Sequence, residues 1–225
     1  MAEKLRVILE IGPKRRIVAG AMDWPGLDRW GSSEDAALET MASYLPRYAD
    51  VAERAGMAHE FASATDLEVV ERVPGSSSTD FWGIAHVPSQ IEREVLSAAD
   101  LDRRLDLLAA CWAHFDYVAT RVSAELATGP RGGGRSRDEI IHHVYASERH
   151  NWWRMVGIRA EDGVRLTPEE ISAYRHEYID AIRAYNAEGK PARTWPIQFL
   201  IRRTAHHALD HAWEMEDKDL SSPSI

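Results

Sequence analysis

The chain has 225 residues, 44% of them hydrophobic, and a formal net charge of −9. This size and composition predict one large domain or two small ones around a substantial hydrophobic core. The acidic balance argues against a nucleic-acid partner. No apolar run approaches the ~20 residues that span a bilayer, and the first residues lack a signal-peptide h-region. We therefore expect a soluble, cytoplasmic protein with neither a membrane nor a nucleic-acid partner.

The N-terminal residues 1–74 predict a small mixed domain of order β-β-α-β. Alternation of apolar residues from Leu5 to Ile11 indicates a half-buried strand, and residues 15–22 can return as a second strand. Ser32 or Ser33 can cap a following helix, which Pro46 should bend or split. Residues 67–73 then supply the third strand.

Residues 75–99 are expected to form a connector between two structured parts. Its first residues, PGSSS at 74–78, have turn and loop composition. Phe81 and Trp82 are too apolar to be left in water, so we expect them to dock against a domain or to line a cleft.

Residues 100–219 predict four helices with mostly short connections, the pattern of a four-helix bundle. The first helix should run from Asp100 to about residue 127. Capping boxes at Ser136 and Thr167 begin the second and third helices, which should stop near residues 157 and 189. The fourth should run from about residue 196 to 217. The predicted fold class is therefore α+β, with a small sheet domain followed by a bundle.

The histidines indicate where chemistry is to be sought, because seven of the ten follow residue 141. His207 and His211 are spaced i, i+4, so both imidazoles lie on one helical face and can share a divalent ion. A third ligand should come from His142 or His143 on the second bundle helix, and periodicity alone does not choose between them. The alternative is a structural role for the pair.

Acidic neighbours extend this candidate site. Glu214 falls near the His207 face, so it can be a fourth ligand, a base beside a metal-bound water, or a carboxylate at the rim. It is our candidate catalytic residue. Asp210 and Glu148 are candidates for orienting the imidazoles. His206 is expected to face water or a neighbouring charge.

Apolar residues on two faces of the helix at 136–157 suggest a homodimer or packing on the N-terminal part.

Tryptophan side chains are usually found in a core or at an interface, and a few line clefts. Trp112 and Trp152 are expected in the core, whereas Trp82 and Trp213 are expected in a cleft. The single cysteine, Cys111, excludes an internal disulfide and should be buried as a small apolar residue.

Two segments resemble the DinB-like (YfiT-like) family of four-helix-bundle proteins. They are EIIHHVYASER at residues 139–149 and HALDH at residues 207–211. The resemblance covers roughly residues 90–217 and implies three metal-binding histidines at His143, His207 and His211. It also implies a zinc or nickel ion and, for several relatives, transferase or isomerase activity that uses a low-molecular-weight thiol.

A second resemblance concerns the N-terminal part. The segments DWPGL at residues 23–27 and EDAAL at residues 34–38 resemble a HicB-like module. Fold does not fix function, so this likeness implies no activity.

The sequence thus predicts a metal-dependent enzyme acting on a small molecule, either a thiol-dependent transferase or isomerase, or a hydrolase. The alternative is a non-catalytic, stress-associated binding or scaffold protein whose metal only braces the bundle. An enzyme should keep an open coordination position, whereas a structural site should be closed by a fourth protein ligand.

Overall fold

The fold is a mixed sheet followed by helices. The computed structural model describes residues 4–64, 66–129, 133–159 and 167–221. Residues 1–3, 65, 130–132, 160–166 and 222–225 lie outside the described part of the chain. Within these ranges the chain is α+β, as predicted from the sequence.

Four strands form one sheet in the order β3-β2-β1-β4, within the described residues. They are β1 (Lys4–Ile11), β2 (Ile17–Ala21), β3 (Asp28–Gly31) and β4 (Asp66–Pro74). The first three are joined as antiparallel neighbours, and β4 lies parallel to β1. A parallel neighbour requires a crossover, which the following helices provide.

The crossover contains α1 (Glu34–Arg54) and the short α2 (Ala58–Ser63). The predicted order β-β-α-β was therefore incomplete, because it lacked β3 and α2. The sequence of β3 is DRWG, in which apolar and polar residues do not alternate, so periodicity did not indicate a strand there. Ser33 caps α1 through its side chain, as expected, and the helix runs through Pro46 without a break.

The connector holds α3 (Ser77–Trp82) and a 3₁₀ turn at Ile91–Arg93. Phe81 is 69% exposed and Trp82 is 62% exposed, so the prediction that they dock or line a cleft was wrong. The connector is held by buried polar contacts instead. Glu10 of β1 accepts a hydrogen bond from the Thr79 hydroxyl and from the backbone N–H groups of His86 and Val87.

The long C-terminal helices are α4 (Ala98–Arg121), α5 (Arg137–Ser147), α7 (Pro168–Ala187) and α8 (Ile197–Asp217). Both predicted capping boxes are confirmed. α4 ends earlier than predicted, because Val122 leaves the helical conformation. The backbone N–H and the hydroxyl of the next residue, Ser123, donate hydrogen bonds to Asp219.

The predicted helix at 136–157 is interrupted. α5 gives way to a π-helical turn at Glu148–Trp152, after which α6 (Trp153–Met155) completes the segment. A π-turn adds one residue to a helical turn, so the buried face shifts by one position. Asn151 is exposed, and the next two residues, Trp152 and Trp153, are buried. This shift explains part of the two-sided pattern that suggested a dimer; the dimer itself stays a prediction.

One hydrophobic cluster joins the sheet to the helices. It contains Leu5 of β1, Met41 of α1, Leu108 of α4 and Leu209 of α8, all at most 1% exposed. Cys111 belongs to the same cluster, and burial raises the pKa of its thiol.

The division of the chain into domains at residues 1–74, 75–99 and 100–219 stays a prediction. No described helix has a stretch long and apolar enough to cross a membrane.

Candidate metal centre

Three histidines converge between α5 and α8. His207 and His211 follow one another by one turn on α8, and their ring centroids lie 4.8 Å apart. The ring of His143, on α5, lies 5.2 Å from that of His207 and 4.9 Å from that of His211. The rings of His143 and His207 are each inclined 83° to that of His211. Three imidazoles turned toward a common point are suited to a single ion.

One pair of ring nitrogens has the separation that a tetrahedral ion requires. Zn–N bonds of about 2.0–2.1 Å at a tetrahedral angle place two ligand nitrogens about 3.4 Å apart. The Nε2 atoms of His207 and His143 are 3.3 Å apart. One nitrogen from each of the three histidines lies within 4.8 Å of the others.

His143, and not His142, belongs to this group. Periodicity left the choice open, and the resemblance implied His143. His143 is half-buried beside the two α8 histidines, whereas His142 is exposed. His142 lines a separate cavity of about 730 Å³ between α4, α5 and α7.

Glu214 holds one of the three rings. Its Oε2 atom lies 2.8 Å from His211 Nδ1, and its Oε1 atom accepts a hydrogen bond from Lys218. The hydrogen bond with His211, followed by that with Lys218, lowers the pKa of Glu214 to about 2. Because an ionised carboxylate only accepts, His211 carries its proton on Nδ1 and leaves Nε2 free for a metal. This is the carboxylate–histidine pairing typical of metal sites.

The other two imidazoles are kept neutral. Burial, followed by the neighbouring His211, lowers the pKa of His143 to about 4. Burial, followed by the neighbouring His211 and His143, lowers the pKa of His207 well below its ordinary value. A metal binds the unprotonated ring, so at neutral pH these side chains are ready to act as ligands.

The lowered pKa of His143 predicts how the metal-free protein responds to acid. With a pKa near 6.5 unfolded and about 4 folded, this group binds more protons in the unfolded state. Stability should therefore fall as pH drops from about 6.5 to about 4. Urea unfolding of the metal-free protein across that range should show a smaller fall for His143→Gln. Identical pH dependence in both proteins would contradict this assignment.

Asp210 and Glu148 have other roles than those expected, whereas His206 contacts a neighbouring charge, one of the two surroundings expected for it. His206 is buried, with Nδ1 3.2 Å from Nη1 of buried Arg203, and lies outside the three-histidine group. Asp210 pairs with Arg29 at 2.9 Å. Glu148, 1% exposed, binds the Arg175 guanidinium through both oxygens. Asp210 and Glu148 thus have arginines as partners, and Glu214 is the carboxylate on a ligand.

Two tryptophans form an aromatic wall beside the histidines. The Trp152 ring lies 6.1 Å from His207 and 5.9 Å from Trp195. Sequence reasoning placed Trp152 in the core, and its 8% exposure agrees, but its position beside His207 follows from the π-turn and was not predicted. Trp213, expected in a cleft, is 1% exposed and packs under the Arg29 guanidinium.

No family model, curated protein or solved structure matches this chain.

Proposed function

We propose that this protein is a DinB-like four-helix-bundle enzyme that binds one divalent ion, zinc or nickel, through His143, His207 and His211. The observation that carries the proposal is the convergence of three imidazole nitrogens within 4.8 Å. Imidazole ligands suit both ions. Three protein ligands leave a fourth position for water or substrate, as in catalytic rather than structural zinc sites.

The proposed reaction is the transfer or isomerisation of a small electrophile by a low-molecular-weight thiol. A bound divalent ion would lower the pKa of a thiol or water at the open position. In the transfer reaction, the thiol would release its proton to solvent water, its sulfur would form a bond to the electrophilic carbon, and the leaving group would depart with the electron pair of the bond that breaks. Trp152 and Trp195 supply an apolar wall for that electrophile.

Glu214 is proposed mainly as a positioning residue. A carboxylate with a pKa of about 2 is a weak base at neutral pH. Its hydrogen bond instead fixes the tautomer and the orientation of His211. A role for Glu214 as the acid or base of the reaction stays a prediction.

An open coordination position can be tested with cobalt. Cobalt(II) replaces zinc and reports ligand exchange in its absorption spectrum. Adding glutathione to the cobalt protein should produce a sulfur-to-metal charge-transfer band, because the thiolate enters the fourth position. S-methylglutathione, which has no thiol proton to lose, is the matched control and should produce no band. An unchanged spectrum with glutathione would overturn the proposal and favour a closed, structural site.

Removing the carboxylate on His211 should weaken metal binding. Glu214→Gln loses the charged acceptor, and the loss of such a partner costs about 10–100-fold in metal affinity. Glu216→Gln is the matched control, because Glu216 lies on the same helix and pairs with Arg47 instead. Competition with a chelating dye measures both affinities. Equal affinities for the two variants would contradict the role assigned to Glu214.

A further inference from the structure

An exposed group of aromatic and basic side chains lies at one end of the sheet. Phe81 is 69%, Trp82 62% and Trp30 45% exposed. The Phe81 and Trp82 rings pack edge to face at 4.6 Å. Trp30 touches the end of α3, because a Cβ on Gly83 would lie 2.7 Å from its ring. We call this surface the basic-aromatic tip; its members are Lys14, Arg15, Arg16, Trp30, Phe81 and Trp82.

The tip is held together by specific contacts. Asp80 of α3 accepts hydrogen bonds from the backbone N–H groups of Lys14, Arg15 and Arg16, at 2.8, 2.8 and 3.0 Å. The Arg16 guanidinium lies 4.3 Å from the centre of the Trp30 ring and donates to the Phe81 carbonyl. α3 and the β1–β2 turn are thereby fixed side by side, so the aromatic and basic residues face the solvent together.

The charge of the tip is opposite to that of the whole chain. The chain carries a net charge of −9. Lys14 and Arg15 are exposed, and their side chains form no ion pair with the described residues. Asp80 of α3 keeps its negative charge, because the three backbone N–H groups that it accepts are neutral. One carboxylate therefore opposes the three cations Lys14, Arg15 and Arg16, and the balance of the tip is positive. The tip is therefore a local cationic surface that carries protruding apolar rings.

We propose that the basic-aromatic tip binds the surface of a membrane rich in anionic lipids. Rings exposed by two thirds suit a soft interface better than a flat, rigid protein surface, and tryptophan is enriched at the headgroup level. Lysine and arginine beside them are attracted to anionic headgroups. The tip thus offers both contributions to interfacial binding, the burial of apolar area and the attraction to anionic lipids. This proposal departs from the expectation of no membrane partner, which rested on the lack of a spanning apolar run.

Vesicle sedimentation of the full-length protein tests the proposal. Vesicles of phosphatidylcholine with phosphatidylglycerol should bind the protein about tenfold or more tightly than phosphatidylcholine alone. Added salt should weaken the binding, since it screens the attraction of exposed charges. Equal sedimentation with both vesicles, or none, would overturn the proposal.

Variants separate the tip from the rest of the surface. Phe81→Ser with Trp82→Ser, and Lys14→Ser with Arg15→Ser, should each abolish most of the binding. Val95→Ser is the control for apolar exposure, because Val95 is 64% exposed outside the tip. Lys190→Ser is the control for charge. The melting temperature and metal content report whether each variant is folded.

Two further results would assign the tip to another occupant and overturn the proposal. The first is a dimer in analytical ultracentrifugation that the aromatic double variant dissociates, without vesicle binding by the parent. The second is binding of a single-stranded oligonucleotide that needs the same six residues and is tighter than binding to vesicles.

Discussion

Alanine at His143, His207 or His211 should each remove the metal from the purified protein. The parent should carry about one equivalent of a divalent ion, because three imidazoles converge on one point. Loss of a residue that only orients a ligand lowers metal affinity by about 10–100-fold. Loss of the ligand itself should lower the affinity further. Plasma mass spectrometry of untagged protein, before and after reconstitution with zinc or nickel, measures the content.

His142→Ala is the matched control for this experiment. His142 neighbours His143 in sequence but is exposed and lies outside the three-histidine group. It should retain the metal content of the parent. Each variant must also keep the circular dichroism spectrum of the parent. A parent without metal after reconstitution, or folded variants that retain it, would leave these histidines as structural residues.

Replacing Arg202 with methionine should cost about 3–5 kcal/mol of unfolding free energy, because it leaves buried carboxylates without their counter-charge. Arg202 lies on α8, 3% exposed, and binds Asp28 of β3 at 2.8 Å and Glu92 of the connector at 2.7 Å. Burial raises the pKa of Asp28 while Arg202 opposes that rise. Chemical denaturation at neutral pH measures the loss.

An exposed pair provides the comparison for Arg202. Arg183 and Asp102 pair at 3.0 Å with 46% and 55% of their side chains exposed, so Arg183→Met should cost at most about 1 kcal/mol. Adding Asp28→Asn and Glu92→Gln to Arg202→Met should restore part of the stability, since no unpaired charge is then buried. Equal losses for Arg202→Met and Arg183→Met would show that the buried network contributes little.

The sequence was informative where neighbours along the chain determine the result. The capping boxes depend on residues three apart, and both were predicted correctly. The pairing of His207 with His211, and the nearness of Glu214, likewise follow from helical spacing. These local patterns were sufficient to propose a metal site on α8.

Contacts between distant segments could not be predicted in the same way. Arg29 pairs with Asp210, 181 residues away, and Arg202 pairs with Asp28, 174 residues away. No periodicity encodes such partners, so Asp210 was assigned to the imidazoles instead. The exposure of Phe81 and Trp82 was missed for a related reason. Hydropathy gives the tendency of a residue to be buried, but a neighbouring surface must be available to bury it.

The π-turn at Glu148–Trp152 bears on how relatives of this chain are to be aligned. A π-turn differs from a regular helical turn by a single residue. A homologue that lacks one residue between His143 and Trp152 can therefore keep a regular helix. Its tryptophan would still lie beside the histidine that corresponds to His207. Alignments should allow a one-residue gap within this turn, and a gap there is no sign of a lost site.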